Sequence, residues 1–593
     1  MTTIAETALE VAVASARDQL AVAAPDLYAG FTDALPRAVH TVAARLVGAA
    51  YREDLAGLRD PDRLAGLADG VTRHAFDRIE ARLVRDPARV LADLPARMRG
   101  HPRGGGDLAV ELADAAVHLA LAYARRPSFG AAGAGSAGGA EIGVGGAAAR
   151  DSVALASRLA GDDQTVFFER LATEGHNLHP CGRTRLGWSV TDALAHDLEA
   201  PSTTVGFVAV RRDLHTGDDV GELLGVPAYR PGFAVQPVHA WQLDRVVRGR
   251  YADLVADGAL VPMDGLTLTG SPTAALRTLL LDARPGRPRR YLKLSLDIQV
   301  TSTRRTISVA STRNGPALSA LLHRLLTVEP QILLLDEEAG AAGLVGRQQR
   351  DLAAIVRRGL DGRLEGGPAG GDAGGGMVAV PGGALYATSP VTGSTVVAEL
   401  VDRYAAGRRI GSRPDAAARF VAAYARLLLP PLLRLATRHG IALEAHLQNC
   451  VLVFQDGTPR RLVLRDFAGL RLHRPRLAAS GHRVELWPGS VIGTDDADVM
   501  RAKLAYTALQ AHLGELVVQL TRSHGLDENA AWRSVRETVD EVYDELRGDP
   551  VVGAAAADDH RFLTAPLVPH KALVRMRLRG GGDVYVPVRN PLC

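Results

Sequence analysis

Lysine is almost absent from this chain of 593 residues. Of its 69 basic residues only three are lysines, at positions 293, 503 and 571. The bias toward arginine has a possible origin in codon usage. A lysine that is retained despite this bias indicates a position where a compact ammonium group is required. No Gly-Lys dipeptide occurs anywhere, which excludes a Walker-type phosphate loop. Any nucleotide must therefore be held by another kind of site.

Cysteines and long apolar runs are also scarce. Cys181, Cys450 and Cys593 are far apart and form no CxxC pair, which predicts a reducing, cytoplasmic location and no zinc site. The N-terminus lacks a basic region followed by an apolar segment, and no uninterrupted apolar run reaches membrane-spanning length, so no membrane partner is expected. With a net charge of +3 and no long basic run, nucleic acid is not expected as a primary partner either.

The chain has three successive regions that differ in residue pattern. Its length exceeds what one hydrophobic core supports, so several domains are expected. Residues 1–150 have apolar residues at gaps of three and four, typical of a helical domain. Residues 151–390 contain β-rich runs such as 204–210 and 291–300, which predict a mainly antiparallel sheet. Residues 391–593 are mostly helical and include one hairpin. The sequence therefore predicts an α+β fold of three domains.

Two low-complexity tracts interrupt these regions. A Gly/Ala tract at 129–149 and a Gly-rich tract at 366–376 have little capacity to bury side chains, so both are predicted to be surface loops. Further on, a strongly helical pattern covers 421–429. We expect Pro430 and Pro431 to kink or end that helix.

The stretch between Leu443 and Asp466 organises the rest of the chain. Two aliphatic runs flank an Asp-Gly pair at 456–457, a strong signal for a β-hairpin. Because a hairpin returns the chain to its starting point, polar residues before the first strand should lie beside those after the second. These residues are Glu444, His446, Gln448, Asn449, Arg465 and Asp466. They suit a metal-bound phosphate, and the alternative is a polar hairpin end with ordinary ion pairs.

A second dense motif is EGHNLHPCGRTRLG at 174–187. It combines His176 and His179 with Arg183 and Arg185 in a loop constrained by glycine and proline. A zinc site would need further ligands, and none follows at metal spacing. We predict an anion-contacting loop, and the alternative is a solvated loop with satisfied histidines.

A third motif is KLSLDIQVTSTRRT at 293–306. Because side chains alternate along a strand, Lys293, Ser295 and Asp297 are expected on one face. Hydroxyl and guanidinium donors typical of phosphate or carboxylate binding follow this strand. They are Thr301, Ser302 and Arg305. The alternative is a cationic sheet edge that protects against aggregation.

Several further motifs occur in the order found in one protein family. They are VHAWQ at 238–242, PTAALRT at 272–278, EAHLQN at 444–449, LVLRD at 462–466 and HKALVRMRL at 570–578. With the two preceding motifs, they make the chain similar to the IucA/IucC family of siderophore synthetases, including its FhuF-like C-terminal region. The resemblance covers roughly residues 150 to 593.

The resemblance implies a hand-like architecture and a two-step reaction. The three regions would be a helical thumb, a fingers domain built on a sheet, and a palm that contains the hairpin. With ATP and Mg²⁺, a carboxylate, commonly of citrate or a related acid, would attack the α-phosphate to give an acyl-adenylate and pyrophosphate. An amine or hydroxyl would then displace AMP to form an amide or ester. The partners would be small molecules, and the enzyme a homodimer.

Positive charge would neutralise the phosphates in this reaction. Lys293, Arg305 and Arg277 would stabilise the triphosphate and the departing pyrophosphate. Other residues would bind ATP or line its site without covalent chemistry. They are His176, His179, Arg183, Arg185, Thr301, Ser302, Gln448 and Asn449.

Oxygen ligands from the hairpin region would hold Mg²⁺. Glu444 and Asp466, with Gln448 or Asn449, are the predicted ligands. His446 would contact the substrate carboxylate or the α-phosphate, which makes it the third catalytic candidate beside the cations of the strand.

Three positions depart from the family's pattern. Arg183 stands where lysine is usual, Ala240 where VHPWQ has proline, and Ala275 where a serine is usual. The first keeps a charge but changes its geometry, and the last removes a hydroxyl donor. Two rival hypotheses stay open: a kinase-like phosphotransferase, which would release ADP, and a catalytically impaired regulatory relative.

Overall fold

A computed structural model of the chain describes residues 7–98, 105–125, 149–364, 376–580 and 582–593. The tracts predicted as surface loops at 129–149 and 366–376 lie outside the described residues, apart from their last residue. Helices and sheets are mixed along the whole chain, which confirms the predicted combination of both. The division into thumb, fingers and palm stays a prediction.

The first part of the chain is helical, as its apolar spacing predicts. Its elements are α1 (Ala8–Ala23), α2 (Pro25–Arg52), α3 (Pro61–Ala65), β1 (Ala68–His74), β2 (Arg78–Val84), α4 (Pro87–Arg97) and α5 (Gly105–Ala124). The β1–β2 hairpin is an addition that the helical spacing did not predict. α1 begins at a capping box formed by Thr7 and Glu10, which satisfies free N–H groups of its first turn. The apolar core of this layer continues into Trp188, Ile298 and Leu578, so these helices pack directly on later parts of the chain.

The middle of the chain is built on one large sheet. Its elements are α6 (Ser152–Ala156), α7 (Gly161–Leu171), α8 (Val190–His196), β3 (Thr203–Arg211), β4 (His215–Gly217), α9 (Val220–Leu223), β5 (Phe233–His239), α10 (Ala240–Gln242), α11 (Ala252–Ala256), β6 (Leu260–Pro262), β7 (Leu268–Pro272), β8 (Thr278–Leu281), β9 (Arg290–Leu294), β10 (Leu296–Val300), β11 (Thr303–Arg305), α12 (Val309–Leu325), β12 (Ile332–Leu334), β13 (Glu337–Gly343), β14 (Leu352–Arg358) and β15 (Val378–Pro381). Nine strands pair in the order β4-β13-β14-β9-β8-β7-β3-β5, with β6 beside β3. Every neighbouring pair is antiparallel, as predicted.

The single strand predicted over 291–300 is divided at Ser295. β9 lies inside the large sheet between β8 and β14, whereas β10 pairs with β11. Ser295 Oγ donates to the Arg350 carbonyl at 2.6 Å and accepts from the Ile307 N–H at 3.1 Å, and these bonds hold the chain where it leaves the sheet. Lys293 and Asp297 therefore lie on different strands, which corrects the expectation that they share one face of a single strand.

The last part of the chain is mostly helical. Its elements are α13 (Val396–Arg408), α14 (Arg413–His439), β16 (Ile441–Ala442), β17 (Cys450–Gln455), β18 (Thr458–Leu464), β19 (Arg471–His473), α15 (Arg474–Ala479), β20 (Gly493–Thr494), α16 (Ala497–Leu504), α17 (Gly514–His524), α18 (Glu528–Arg547), α19 (Gly553–Leu563), β21 (Leu567–Lys571), α20 (Leu573–Arg579) and β22 (Tyr585–Arg589). A π-helical segment, Ala505–Leu513, joins α16 to α17.

The predicted hairpin is present as β17 and β18. It forms the centre of a four-stranded sheet in the order β12-β18-β17-β15. β12 runs parallel to β18, whereas β17 is antiparallel to both β18 and β15. Because β12 and β15 precede residue 390, this sheet joins chain segments from both sides of the boundary predicted there.

Helix α14 runs through Pro430 and Pro431 without ending, which corrects one of the two outcomes expected at these residues. Leu428, Leu429 and Leu432 around them are buried, so apolar packing offsets the hydrogen bonds that proline cannot make. By length and composition α14 is apolar enough to span a membrane, yet 67% of its most apolar window is buried inside the protein. It contacts α13, α18 and β18, as a core helix does.

Candidate active site

The two predicted halves of the site meet at one ion pair. Lys293, on β9, lies with its Nζ 2.7 Å from Oδ2 of Asp466, which follows β18. Arg357, on β14, lies 3.7 Å from the same oxygen. Asp466 has a φ of 65°, a left-handed conformation that is uncommon outside glycine and frequent at functional positions. The large sheet and the hairpin sheet are thus joined where both motifs end.

The charges at this junction depend on one another. Burial by itself would raise the pKa of Asp466, but Lys293 and Arg357 outweigh it and hold the pKa well below its usual range. Burial lowers the pKa of Lys293, with Asp466 acting in the opposite direction. The Lys293 side chain is only 4% exposed. The ammonium therefore depends on the Asp466 carboxylate as its counter-charge.

Two further arginines give the junction an excess of positive charge. Arg277 Nη1 donates to the carbonyls of Arg305 and Thr306, at 2.9 and 3.0 Å. Arg305 Nη2 donates to Thr301 Oγ1 at 3.2 Å, whereas its buried Nε has no acceptor. Burial and the charge of Arg277 lower the pKa of Arg305 to about 9. A cation in this setting is stabilised by anionic oxygens.

Carboxylates do not balance these cations. Glu337 pairs with Arg357 at 3.1 Å, and Asp466 pairs with Lys293. Arg277 and Arg305 have no carboxylate of their own among the described residues. The junction therefore offers preorganised positive charge to a ligand that carries several anionic oxygens.

The histidine loop faces this cluster. His176 Nδ1 accepts from the Leu178 N–H at 3.1 Å, and His179 Nδ1 accepts from the Cys181 N–H at 3.0 Å. The remaining His179 nitrogen, Nε2, lies 3.3 Å from Ser302 Oγ. Burial lowers the pKa of His179 to about 3 and that of His176 well below its ordinary value. Both rings are therefore neutral near pH 7, with the proton on Nε2.

Arg183 and Arg185 of the same loop are already paired with carboxylates. Arg183 Nη2 lies 2.9 Å from Glu199 Oε2 and 3.3 Å from Asp197 Oδ2. Arg185 reaches both oxygens of Asp197, at 2.9 and 3.1 Å. These buried ion pairs hold the loop in place. The positive charge of both arginines is largely balanced by the two carboxylates. The assignment of these arginines to ATP stays a prediction.

Glu444 and His446 form a second polar group in front of the hairpin. Glu444 Oε1 accepts from Lys503 Nζ at 2.8 Å, and its Oε2 lies 4.0 Å from His446 Nε2. Burial raises the pKa of Glu444, but Lys503 and His446 outweigh it and the net pKa is lowered. Burial lowers the pKa of His446 despite Glu444. Gly469 leaves room for this carboxylate, since a Cβ at that position would overlap Glu444 Oε2.

The metal ligands predicted from the hairpin do not form a metal site by themselves. Glu444 and Asp466 are each paired with a lysine, and Asn449 Nδ2 donates to the Glu444 carbonyl at 3.1 Å. Gln448 is exposed, and its carbonyl accepts from Arg465 at 2.8 Å. Within the described ranges, no three His, Cys, Asp or Glu side chains converge on one point. One carboxylate of this group, together with the phosphates of a bound ligand, would suit Mg²⁺. This ion commonly binds in that way.

One cavity joins the motifs, and we call it the central cavity. The predicted residues that line it are His176, Arg183, Arg185, Thr301, Arg305, His446 and Gln448. Tyr386 and Tyr506 also line it. Ser302 instead lines a neighbouring cavity with Asp583 and Tyr585. Residues more than 250 positions apart in the sequence thus surround one space.

Several residues of the site were missed by sequence reasoning. Arg357 and Glu337 lie on strands without a local motif, so no signal pointed to them. Lys503 could have been found from the scarcity of lysine. Tyr506 lies in the π-helical segment Ala505–Leu513, and π-helices are frequent at functional sites but have no sequence signature.

A helical layer, a large antiparallel sheet and a cationic cavity against a hairpin define a known class of fold. The chain superposes with a TM-score of 0.72 on the petrobactin biosynthesis protein AsbB from Bacillus anthracis, at 18% identity over 95% of this chain and 98% of that one. ATP-bound aerobactin synthetase IucA from Klebsiella pneumoniae gives a TM-score of 0.65 at 18% identity, over 87% of this chain and 89% of that one. These likenesses define the fold.

Two protein families match different parts of the sequence. Residues 164–386 match the IucA / IucC family, and residues 418–585 match the family described as ferric iron reductase FhuF-like transporter. The chain is thus similar to the IucA / IucC family over residues 164–386. This confirms the resemblance carried by its motifs.

Two curated relatives are similar over much of the chain. The uncharacterized protein y4xN of Sinorhizobium fredii is 30% identical over 381 residues, which is 60% of this chain and 56% of the relative. D-ornithine–citrate ligase of Staphylococcus aureus is 26% identical over 479 residues, which is 73% of this chain and 70% of the relative. The alignment thus spans little more than half of the first relative and about two thirds of the second.

Proposed function

We propose that the protein is an ATP-dependent ligase of siderophore or related natural-product biosynthesis. It adenylates a carboxylic acid, citrate or a related di- or tricarboxylate, and condenses it with an amine or hydroxyl. The observation that carries this proposal is the excess of buried positive charge where Lys293 meets Asp466. A relative named as a citrate ligase and an ATP-bound fold neighbour support citrate and ATP as substrates.

In the first step, a carboxylate oxygen of the acid forms a bond to the α-phosphorus of ATP, and the bond to the pyrophosphate leaving group breaks. Negative charge increases on that leaving group, so Lys293, Arg277 and Arg305 stabilise it where they are already in place. The backbone carbonyls that hold Arg277, and Thr301 beneath Arg305, keep both guanidiniums oriented. Little reorganisation is then needed when the charge develops.

Mg²⁺ would supply additional shielding of the phosphates, and the Asp466 carboxylate would help to hold it. Because both cations that touch Asp466 use Oδ2, its Oδ1 is the oxygen for this role. His446, which is neutral near pH 7 since burial lowers its pKa, can accept or donate one hydrogen bond to the bound acid. Glu444, which is ion-paired with Lys503, lies beside His446.

In the second step, the nitrogen or oxygen of the acceptor forms a bond to the acyl carbon, and the bond from that carbon to AMP breaks. The nucleophile gives up one proton, and AMP leaves with the bonding electron pair. The AMP-forming course, the Mg²⁺ requirement and the assigned residues are parts of the proposal that await the tests below. A cytoplasmic homodimer completes it, and analytical ultracentrifugation of the purified protein measures that state.

The test is incubation with ATP, Mg²⁺, a panel of polycarboxylic acids and hydroxylamine as the trapping nucleophile. We expect AMP, pyrophosphate and a hydroxamate with at least one acid. ADP in place of AMP would instead support a phosphotransferase. Absence of turnover across the panel would support a catalytically impaired relative, motivated by Ala275 and Arg183.

A further inference from the structure

A second cavity of about 400 Å³ lies against the central one. α2 and β2 supply one wall, and residues of α17 supply the other. Asn177 and Tyr386 line both cavities. The two spaces therefore share a wall, and a ligand in the second cavity would lie beside the central cavity. We call this space the Arg52 cavity after the residue discussed next.

Arg52, the last residue of α2, is a buried cation without a partner. It is 7% exposed, and its buried Nε has no hydrogen-bond acceptor. No carboxylate in the described part of the chain lies within ion-pair distance of its guanidinium. Burial, together with Arg78, lowers the pKa of Arg52 to about 10, so it remains charged near pH 7. A buried cation in this state is stabilised by an anionic ligand.

The other arginines that line the cavity are neutralised within the protein. Arg45 lies 2.8 Å from Glu174, and Arg78 lies 2.7 Å from Glu515. Arg522 Nε donates to Glu80 at 2.7 Å. The three acids of these pairs are therefore already satisfied.

The acid beside Arg52 in the sequence forms no ion pair with its guanidinium. Glu53 accepts from the backbone N–H groups of Val574 and Arg575, at 3.0 and 2.6 Å. Its carboxylate is thus directed to the start of α20. Arg52 is left as the cation of the cavity that is free to bind a carboxylate.

We propose that Arg52 binds the carboxylate of the acceptor substrate, which is an amino acid that carries a second, nucleophilic amine. This inference rests on the proposed function. The amine reaches the acyl carbon in the central cavity, and the carboxylate remains behind at Arg52. Tyr506 extends this path, since its buried hydroxyl has no partner, it lines the central cavity, and it lies within the field of Arg52.

The geometry separates two chemical classes of acceptor. An amino acid supplies a carboxylate for Arg52, whereas the diamine formed by its decarboxylation leaves the guanidinium unbalanced. In the condensation, the amine nitrogen bonds to the acyl carbon, AMP leaves with the electron pair, and the nitrogen releases a proton. The carboxylate at Arg52 takes no part in the bond changes, so Arg52 is a specificity residue.

Matched acceptor pairs test the proposal on the full-length protein. The pairs are D-ornithine with 1,4-diaminobutane, 2,3-diaminopropanoate with 1,2-diaminoethane, and lysine with 1,5-diaminopentane. Acceptor-dependent AMP release gives KM for each, and isothermal titration without ATP gives Kd. For at least one pair we expect the wild type to prefer the amino acid by about tenfold or more, the discrimination typical of a charge-assisted pair.

Substitutions at Arg52 locate that preference. Arg52→Gln should raise KM and Kd for the amino acid by about tenfold or more and leave the diamine within about twofold. Arg52→Lys should restore part of the preference because it restores the charge. Arg522→Gln is the matched control, since it removes an arginine of the same cavity that Glu80 already neutralises. Hydroxylamine-trapped adenylation should be unchanged in all three.

Equal use of amino acid and diamine by the wild type would overturn the proposal, as would an unchanged preference in Arg52→Gln. An equal loss for both members of a pair would assign Arg52 a structural role and also overturn it. If the wild type adenylates no acid, the proposed function fails, and titration still decides whether Arg52 selects carboxylates. If Arg52→Gln does not fold, the wild-type comparison and Arg52→Lys decide.

Discussion

Each of the three lysines of the chain ends in an ion pair near the hairpin. Lys293 pairs with Asp466 at 2.7 Å, and Lys503 pairs with Glu444 at 2.8 Å. Lys571 pairs with Asp583 at 2.9 Å. An ammonium is a compact point charge, whereas a guanidinium is a wide planar fork. In a chain that otherwise uses arginine, these three ion pairs each use the more compact ammonium group.

The Lys293–Asp466 pair leads to the first prediction. Asp466→Asn removes the counter-charge of a lysine that is only 4% exposed. We expect loss of adenylation and a decrease of about 3 kcal/mol in the free energy of unfolding, because breaking a buried pair leaves an uncompensated charge. Trapped hydroxamate and urea denaturation are the measurements.

The double variant Lys293→Met with Asp466→Asn separates these two effects. Removing both charges should recover most of the lost stability without recovering adenylation. Recovery of activity in the double variant, or normal turnover in Asp466→Asn, would contradict a role of this pair in the reaction.

Arg305 supports the second prediction. Arg305→Ala removes a buried guanidinium whose Nε has no acceptor in the protein, so adenylation should fall by about 100-fold or more while the fold persists. The neighbouring Arg304→Ala is the control, because Arg304 is 62% exposed and paired with Asp297. Pyrophosphate release measured on both variants checks the prediction. Equal losses of adenylation in the two variants would show that the overall positive charge of the strand supports the reaction, and not Arg305 itself.

At the scale of elements, the β17–β18 hairpin positions half of the site. Asp456 and Gly457 have φ values of 48° and 74°, as a two-residue hairpin turn requires. The turn pairs Cys450 with Leu464. Asn449 and Asp466 are thereby brought to the same end of the sheet.

The turn glycine carries the third prediction. Gly457→Ala combines a left-handed φ with a Cβ that would overlap Leu400 and Tyr404 of α13. We expect a loss of stability well above the roughly 1 kcal/mol that strain alone costs a non-glycine residue. The control is Gly393→Ala, which has a φ of 73° and nothing within 4 Å of the added carbon. Thermal or urea denaturation compares the two, and similar losses would show that packing on α13 adds nothing.

At the scale of the whole molecule, buried histidines make the fold sensitive to acid. Burial lowers the pKa of His179 and His239 to about 3, and that of His512 to about 4. The pKa values of His176 and His570 lie well below the ordinary value for the same cause. Because these groups take up protons more readily when unfolded, their contribution to stability is present above pH 6.5 and is lost as the pH falls toward 4.

In the described part of the chain, three acids oppose this trend, as do His74 and His118, whose pKa is raised by neighbouring carboxylates against the effect of burial. Burial raises the pKa of Glu53 to about 7, that of Asp162 to about 6, and that of Glu337. The histidines of lowered pKa outnumber these opposing groups, so the fourth prediction is that the free energy of unfolding falls by about 3 kcal/mol or more between pH 6.5 and 4.5. Urea denaturation at several pH values measures this change.

His512 provides the control for the acid prediction. Its Nδ1 lies 2.9 Å from the Ala445 carbonyl, and its Nε2 lies 2.6 Å from the Tyr424 hydroxyl. The neutral ring therefore donates once and accepts once. His512→Gln should reduce the slope of stability against pH by about one proton. A slope that is unchanged, or a wild-type profile that is flat, would contradict the account.

Local signals in the sequence were sufficient for the elements and for the separate halves of the site. The Asp-Gly pair at 456–457 predicted the hairpin, and alternation over 204–210 predicted a strand of the large antiparallel sheet, because turn chemistry and periodicity act over a few residues. The motifs also indicated the resemblance to the IucA/IucC family. Roles assigned to individual site residues, including Glu444 and Gln448 as metal ligands, stay predictions.

Only the tertiary structure decided which charges meet and which remain free. Arg357 completes the Lys293–Asp466 junction from a strand with no motif, and the division at Ser295 separates Lys293 from Asp297. Arg183 and Arg185 proved to be paired with acids, whereas Arg52, which no pattern singled out, is unpaired. The physical reason is that the fold determines which charged groups lie beside a residue. These groups come from distant segments, so the local sequence does not identify them.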